Sequence, residues 1–376
     1  MKLSICRLTF LAAASASVSL ALFSQPASAQ QQITHPWVAI RSLGMGGVRT
    51  STGIYEENFF GNPARVTENP RAKFSLFELM LESKLSTIGN VYDLVANSDA
   101  AQDTLSNSAG DNQHARVQLS LFSFYLPNHG KWSYAFGFFI GEQTDLALRR
   151  SYQVNPGVIA DVGPAFTIGR KFLEDENLSI GATVQAMYRV SSSSTAFSLL
   201  DLVQGNKLSP ADSGGDGGGV DASIGAYYKI PYSIKNWLFT TGFSINNVLG
   251  GKFQQFTFKI NTDGNPPIQQ SRAYNIGVST KRATWWKLQD TVFAFEVNDI
   301  GLNGGGSFYR LIHFGGETRY GIATPRLGFN QGYISAGVGL DFRVLTVDFA
   351  TYGEELSLNA GGLQDRRYAV KFALQI

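Results

Sequence analysis

Side chains able to do chemistry are few in this sequence and far apart. There is one cysteine, Cys6, and there are four histidines, His35, His114, His129 and His313. No Gly-x-Ser-x-Gly stretch occurs, and no histidines and carboxylates stand at the short spacings that hold a metal ion. A catalytic centre needs a nucleophile, a base and a group that orients the base. The sequence therefore predicts no enzyme, no cofactor and no metal site. What it offers is charge at regular intervals. Asp161, Arg189, Asp221, Lys229, Glu296, Glu317, Arg319, Asp341, Arg343, Asp348 and Lys371 each fall on the polar face of an extended segment. Paired with one another, they would fill a wet interior and hold whatever lies inside it. Used singly, Arg189, Lys229 or Lys371 would hold the acidic head group of a ligand.

The elements that carry these charges alternate with a period of two. Tyr368, Val370, Phe372, Leu374 and Ile376 face one way, and Ala369, Lys371, Ala373 and Gln375 the other. Leu178–Arg189, Val220–Lys229 and Ile334–Arg343 repeat the pattern, with small or polar residues on the second face. A soluble sandwich also alternates, so the connections decide. Short ones near residues 128–131, 174–177, 231–236, 284–289, 322–324 and 344 alternate with longer, more polar ones. Trp132, Trp237, Trp285 and Trp286 all sit at the short ones, as an aromatic girdle at one membrane interface would. No stretch holds eighteen apolar residues in a row, so the spans are not helices. Backbone in lipid must then close its hydrogen bonds sideways, which only a closed sheet achieves. The reading is an all-β, transmembrane antiparallel β-barrel of about 14 strands over residues 72–376. Lys252–Ile260 also looks extended. Counting it as a span would make the total odd, and it is assigned to an extracellular loop. Ile88, Val91, Leu94 and Val95 have helical spacing, on the surface or over the barrel mouth.

The N-terminus reads as an export signal. Lys2 and Arg7 precede an apolar run to Phe23, and Ala27-Ser28-Ala29 offers a cleavage site, which would remove residues 1–29. Cys6 would leave with it, and the 31 basic against 29 acidic residues of the full chain would become 29 against 29. A neutral chain gives no electrostatic case for nucleic-acid binding. Gly is 40 of 376 residues, above the usual share of about 7%. Glycines are dense in residues 30–71, which do not alternate and are read as a plug.

Arg41-Ser42-Leu43-Gly44-Met45-Gly46-Gly47 and Asn62-Pro63-Ala64 resemble the N-terminal motifs of the FadL-like outer-membrane transport proteins and their PorV-like and TraF-like relatives. Phe314–Tyr320, Arg326–Asn330, Gly337–Leu340 and Val347–Tyr352 resemble the PorV/TraF-like branch in order. The resemblance implies a fourteen-stranded barrel in the bacterial outer membrane with an N-terminal hatch in its lumen. Arg41, Gly44, Gly46, Gly47, Asn62, Pro63 and Ala64 would form the hatch motif. The implied function is passage of small hydrophobic or amphipathic molecules such as long-chain fatty acids. The alternative is a PorV-like barrel that anchors or shuttles a partner protein in secretion or envelope assembly. Outer-membrane lipid and the barrel assembly machinery are further expected partners. Two departures stand out: Arg65 where a small residue is usual, and a terminal Ile376 in place of an aromatic. In the FadL group a kink in the third strand opens a side exit. Gly141-Glu142 marks such a kink if the strand breaks there, or the outer water interface if it does not.

Overall fold

The computed structural model describes residues 35–88, 112–148, 153–192, 197–198, 214–254, 266–359 and 361–376. The expected signal peptide and most of the helix-spaced stretch ending at Val95 lie outside them. Fourteen strands form one sheet: β1 Lys73–Ser83, β2 Asn112–His129, β3 Trp132–Leu148, β4 Gln153–Phe172, β5 Leu178–Ser191, β6 Gly215–Ile234 and β7 Trp237–Asn246, then β8 Ala273–Trp285, β9 Leu288–Ile300, β10 Ile312–Arg319, β11 Ala323–Asn330, β12 Tyr333–Asp341, β13 Leu345–Glu355 and β14 Gln364–Gln375. Each pairs antiparallel with its neighbours in sequence, and β1 pairs with β14, Met80 opposite Lys371, so the sheet is closed. A two-residue strand, Phe197–Ser198, adds to Gln153 and Val154 at the long-loop end of β4.

Alternation sorts side chains as lipid requires. On β14, Tyr368 and Phe372 are exposed on the outside while Ala369, Lys371, Ala373 and Gln375 are buried inside. On β5, Ile180 and Val184 face out and Ser179, Thr183, Met187 and Arg189 face in. The short turns allow tight reversal through positive φ, as at Gly130, at Lys235 and Asn236, and at Trp286. Trp132, Trp285 and Trp286 stand exposed around that end. A barrel so built is an outer-membrane protein, with short turns toward the periplasm and long loops outside.

The wall is uneven. Strands β2, β3, β4 and β6 have 18, 17, 20 and 20 residues, whereas β10, β11 and β12 have 8, 8 and 9. A tilted span needs about 9–11 residues, so the first group rises well beyond the bilayer. Of these, β2, β4 and β6 start earlier than alternation indicates, because their upper parts face water and need no apolar outer face, whereas β3 runs as alternation indicates. Of the extended stretch Lys252–Ile260, residues 255–260 lie outside the described residues, and Lys252–Gln254 does not span. It turns against β6, where Gly218 and Gln254 exchange two backbone hydrogen bonds of 2.8 Å.

Residues 35–69 pack inside the barrel. They form helix α1 (Ile40–Gly44), helix α2 (Glu57–Phe60) and a 3₁₀ turn over Pro63–Glu68. Ile40, Met45, Val48, Phe59, Ala64 and Val66 are buried there.

Candidate functional site

At two of the places where the N-terminal segment meets the wall, glycines let backbone approach backbone. Gly46 has φ +74°, and a Cβ on it would lie 2.5 Å from the amide nitrogen of Phe329 on β11. The wall is stripped in turn: a Cβ at Gly315 or Gly328 would run into Met45. Across the barrel, a Cβ at Gly181 would lie 2.6 Å from the carbonyl carbon of Pro63, and one at Gly225 would overlap the Asn62 side chain. The strand glycines raised in the composition are thus partly a landing surface for this segment.

Polar contacts differ between the two landings. Arg41 bonds Glu57 at 2.7 Å and Glu317 at 2.6 Å, and Glu317 and Asp348 share Arg326 at 3.2 and 2.6 Å. Burial disfavours the Arg41 cation, but Glu317 and Glu57 outweigh it and hold the guanidinium above its ordinary range. Asn62 makes neutral bonds. Its amide donates to the carbonyls of Thr50 (2.8 Å) and Ala226 (3.0 Å), and its oxygen accepts from Ala64 N, capping the 3₁₀ turn. Thr67 bonds Ser179 at 2.8 Å. Arg65, the unusual residue, donates to the Gly53 carbonyl at 3.1 Å and stacks 4.3 Å above Tyr227. Between the landings, Glu296 accepts the backbone N–H groups of Arg49, Thr50 and Ser51 at 2.7–2.9 Å.

The three cations considered as ligand anchors all have carboxylate partners. Arg189 grips Asp161 through two bonds of 2.7 and 2.6 Å and donates to the Ile268 carbonyl. Lys229 pairs with Glu68 at 2.8 Å, and Lys371 with Glu56 at 2.5 Å. Two of them tie the N-terminal segment to the wall, which is the paired-network role. His114 is likewise committed, between Glu82 at 2.6 Å and Asp145 at 2.7 Å.

At Gly141–Glu142 the ladder runs unbroken on both sides: Gly141 faces Gln118 and Asp161, and Glu142 faces Val117 and Ala160. No kink marks this pair. Gly141 points inward against Trp37, and Glu142 accepts a bond from Thr144. The irregularity on this side of the sheet is lower, where Phe122 and Ser123 on β2 bulge opposite Gly137.

The alternation of β3 has a feature that a reading confined to its lipid face passes over. Phe139 faces inward and is 1% exposed. Phe59 and Phe60 lie 4.9 and 5.0 Å from its ring centre, and Trp37 meets it edge-on at 4.8 Å. Above this cluster, between the N-terminal segment and the tall wall, is a cavity of about 70 Å³. Trp37, Phe60, Phe139, Met187 and Phe253 line it together with Arg49, Asp161, Arg189, Asp221 and Asp299. Phe253 is held over it by Arg189, 4.3 Å from its ring centre.

No family model matches this sequence. No curated protein matches it by sequence. Solved structures do match. A "TodX deltaS2S3 mutant monoaromatic hydrocarbon channel" has TM-score 0.50 at 11% identity, over 90% of this chain and 98% of that one. The Ralstonia pickettii toluene transporter TbuX has TM-score 0.46 at 13% identity, over 90% and 97%. A Pseudomonas aeruginosa FadL homologue has TM-score 0.45 at 11% identity, over 92% and 99%. At such identities a likeness speaks to fold alone, and the first of these supports one conclusion: the chain is an outer-membrane β-barrel with the fold of that channel.

Proposed function

We propose that the protein is a channel for uptake of small hydrophobic molecules across the outer membrane, and not an enzyme. The observation that carries this reading is the cavity, lined in part by aromatic rings, that remains between residues 35–69 and the barrel wall. The fold shared with a monoaromatic hydrocarbon channel supports it as analogy. In this scheme the tall wall and its loops capture the molecule, the aromatic cluster strips it of water, and the N-terminal segment, acting as a hatch, shifts to let it pass. The cavity is smaller than the roughly 150 Å³ apolar cavity that takes up benzene, so admission requires movement of part of its lining. The Arg41–Gly47 and Asn62–Ala64 motifs hold the closed state, and a cleaved signal peptide over residues 1–29 would direct export.

The test is flux into proteoliposomes holding the full chain, with toluene and a long-chain fatty acid as probes. Saturable uptake that vanishes on heat unfolding of the barrel supports the channel. Tight vesicles, together with a stable protein partner recovered from the native membrane, would favour the anchoring or shuttling role of the PorV-like branch instead.

A further inference from the structure

The lining of this cavity says more about its occupant than that it is apolar. Its buried charged groups are already committed, and the remaining cation, Lys252, is exposed to water. Arg189 is neutralised by Asp161, and Arg49 donates to Asp299 at 2.6 Å, with His35 on the other oxygen of Asp299 at 3.0 Å. Asp221 accepts the backbone N–H groups of Leu249 (2.9 Å) and Gly251 (2.5 Å). An anion would enter here without an unpaired buried cation to receive it. Desolvating a charge without a partner is costly.

Two lining groups are unsatisfied among the described residues, the indole N–H of Trp37 and the Nε–H of Arg49. Both are donors, both are buried, and no acceptor among the described lining residues is left unsatisfied in the same way. A buried donor without a partner costs about 1–3 kcal/mol relative to a bonded one. Trp37 is not free to swing away toward water. Phe60 stacks on it at 5.4 Å and Phe139 meets its edge, and the preceding Pro36 carbonyl is held by Gln118 at 3.0 Å. A rigid donor beside flat aromatic faces matches a ligand with a ring and one neutral acceptor.

We infer that this cavity selects small aromatic molecules carrying a carbonyl oxygen over the corresponding bare hydrocarbons, with Trp37 and Arg49 as the specificity-determining donors. Once the lining has moved to admit the ligand, the ring lies among Phe60, Phe139, Met187 and Phe253, and the oxygen accepts from the Trp37 and Arg49 N–H groups so uncovered. Rejection of the hydrocarbon follows from the same geometry. It fills the aromatic side equally well but leaves both donors unpaired and displaces any water that served them. The proposal rests on the channel reading for its biological sense, yet binding is separable from flux.

Acetophenone and cumene share one heavy-atom skeleton, with the carbonyl oxygen of the first replaced by a methyl group in the second. Calorimetry on the folded full-length barrel in detergent should give acetophenone the tighter binding by about tenfold. Bulk partition would favour cumene, so this order reverses the simple hydrophobic expectation. Trp37→Phe keeps the ring and removes the donor. It should weaken acetophenone about fivefold more than cumene. Arg49→Met serves as the second variant if the first loses its heat-shifted band on a gel. Equal or tighter binding of cumene, a Trp37→Phe effect equal on both ligands, or benzoate binding tighter than acetophenone would each overturn the inference. If acetophenone binds selectively but proteoliposomes stay impermeable, the site stands and the channel reading fails. If both molecules cross without preference and bind alike, the channel stands and the site fails.

Discussion

The two landings of the N-terminal segment solve one packing problem with different chemistry. At the low wall, β10 to β12, backbone meets backbone at Gly46, and buried charge locks the contact through Arg41, Glu317, Arg326 and Asp348. At the tall wall, β4 to β7, Gly181 lets the Pro63 backbone approach, Asn62 and Thr67 make neutral hydrogen bonds, and the one close ion pair, Lys229–Glu68, is partly exposed. A buried ion pair is expensive to break singly, since its partner is stranded. A neutral bond is cheaper to lose and to remake. In the channel proposed above, the low-wall landing would be the fixed end of the N-terminal segment and the tall-wall landing the end that moves.

Gly46→Leu should have the largest effect. The side chain meets the Phe314 and Phe329 backbone, which has no rotamer to yield, from a positive φ that leucine resists. The cost exceeds the ~1–3 kcal/mol of ordinary overpacking, and the low-wall landing should be lost outright. The barrel itself should still form. Protease cleavage within residues 35–72 together with an unchanged heat-shifted gel band is the expected result. A protected segment would mean that the glycine approach is not what seats it.

Arg41→Met comes next. It leaves Glu57 and part of Glu317 without their cation, a loss of about 3–5 kcal/mol in a buried pair. Hydrogen exchange should show Ile40–Gly47 opening while Pro63–Glu68 keeps its protection. Equal opening of both regions would erase the distinction between fixed and mobile ends. Asn62→Ala tests the other side with a smaller expected loss of about 1–3 kcal/mol, and exchange should rise first at Ala64–Thr67. If Asn62→Ala opened the segment more widely than Arg41→Met, the assignment of roles would be reversed.

These effects were unequally legible in the sequence. The fourteen strands could be read because lipid and lumen impose opposite demands on alternate residues, and β14 or β5 carries both demands along its full length. The upper ends of β2, β4 and β6 could not, because water on the outside relaxes the rule. Arg41 and Asn62 could be singled out through resemblance, but not what they touch, since Glu317 and Ala226 are far away in sequence and met only through closure of the sheet. The strand glycines were visible as an excess in composition. That Gly315, Gly328, Gly181 and Gly225 serve the approach of a second backbone is a fact about register and stagger, which alternation leaves undetermined. Phe139 carried a signal, an aromatic on the inward parity of β3 among small and polar neighbours, and weighing that parity would have pointed to the cavity wall.

Glu142→Leu sets the lower bound of the comparison. A side exit at this point would need the β3 ladder to part, yet Glu142 pairs in register with Val117 on one side and Ala160 on the other. Its carboxylate is on the outer face of the barrel, bonded to Thr144 and away from both landings and the cavity. Replacing it with leucine adds an apolar group to an outer face that already carries Phe138 and Ile140. Stability should change by no more than about 0.5 kcal/mol, and proteoliposome uptake should match that of the unaltered protein. Reduced uptake with intact folding would place the exit in the β3 wall and detach it from the mobile end of the hatch. Unchanged uptake, beside a loss in Asn62→Ala, would keep the moving part inside the lumen.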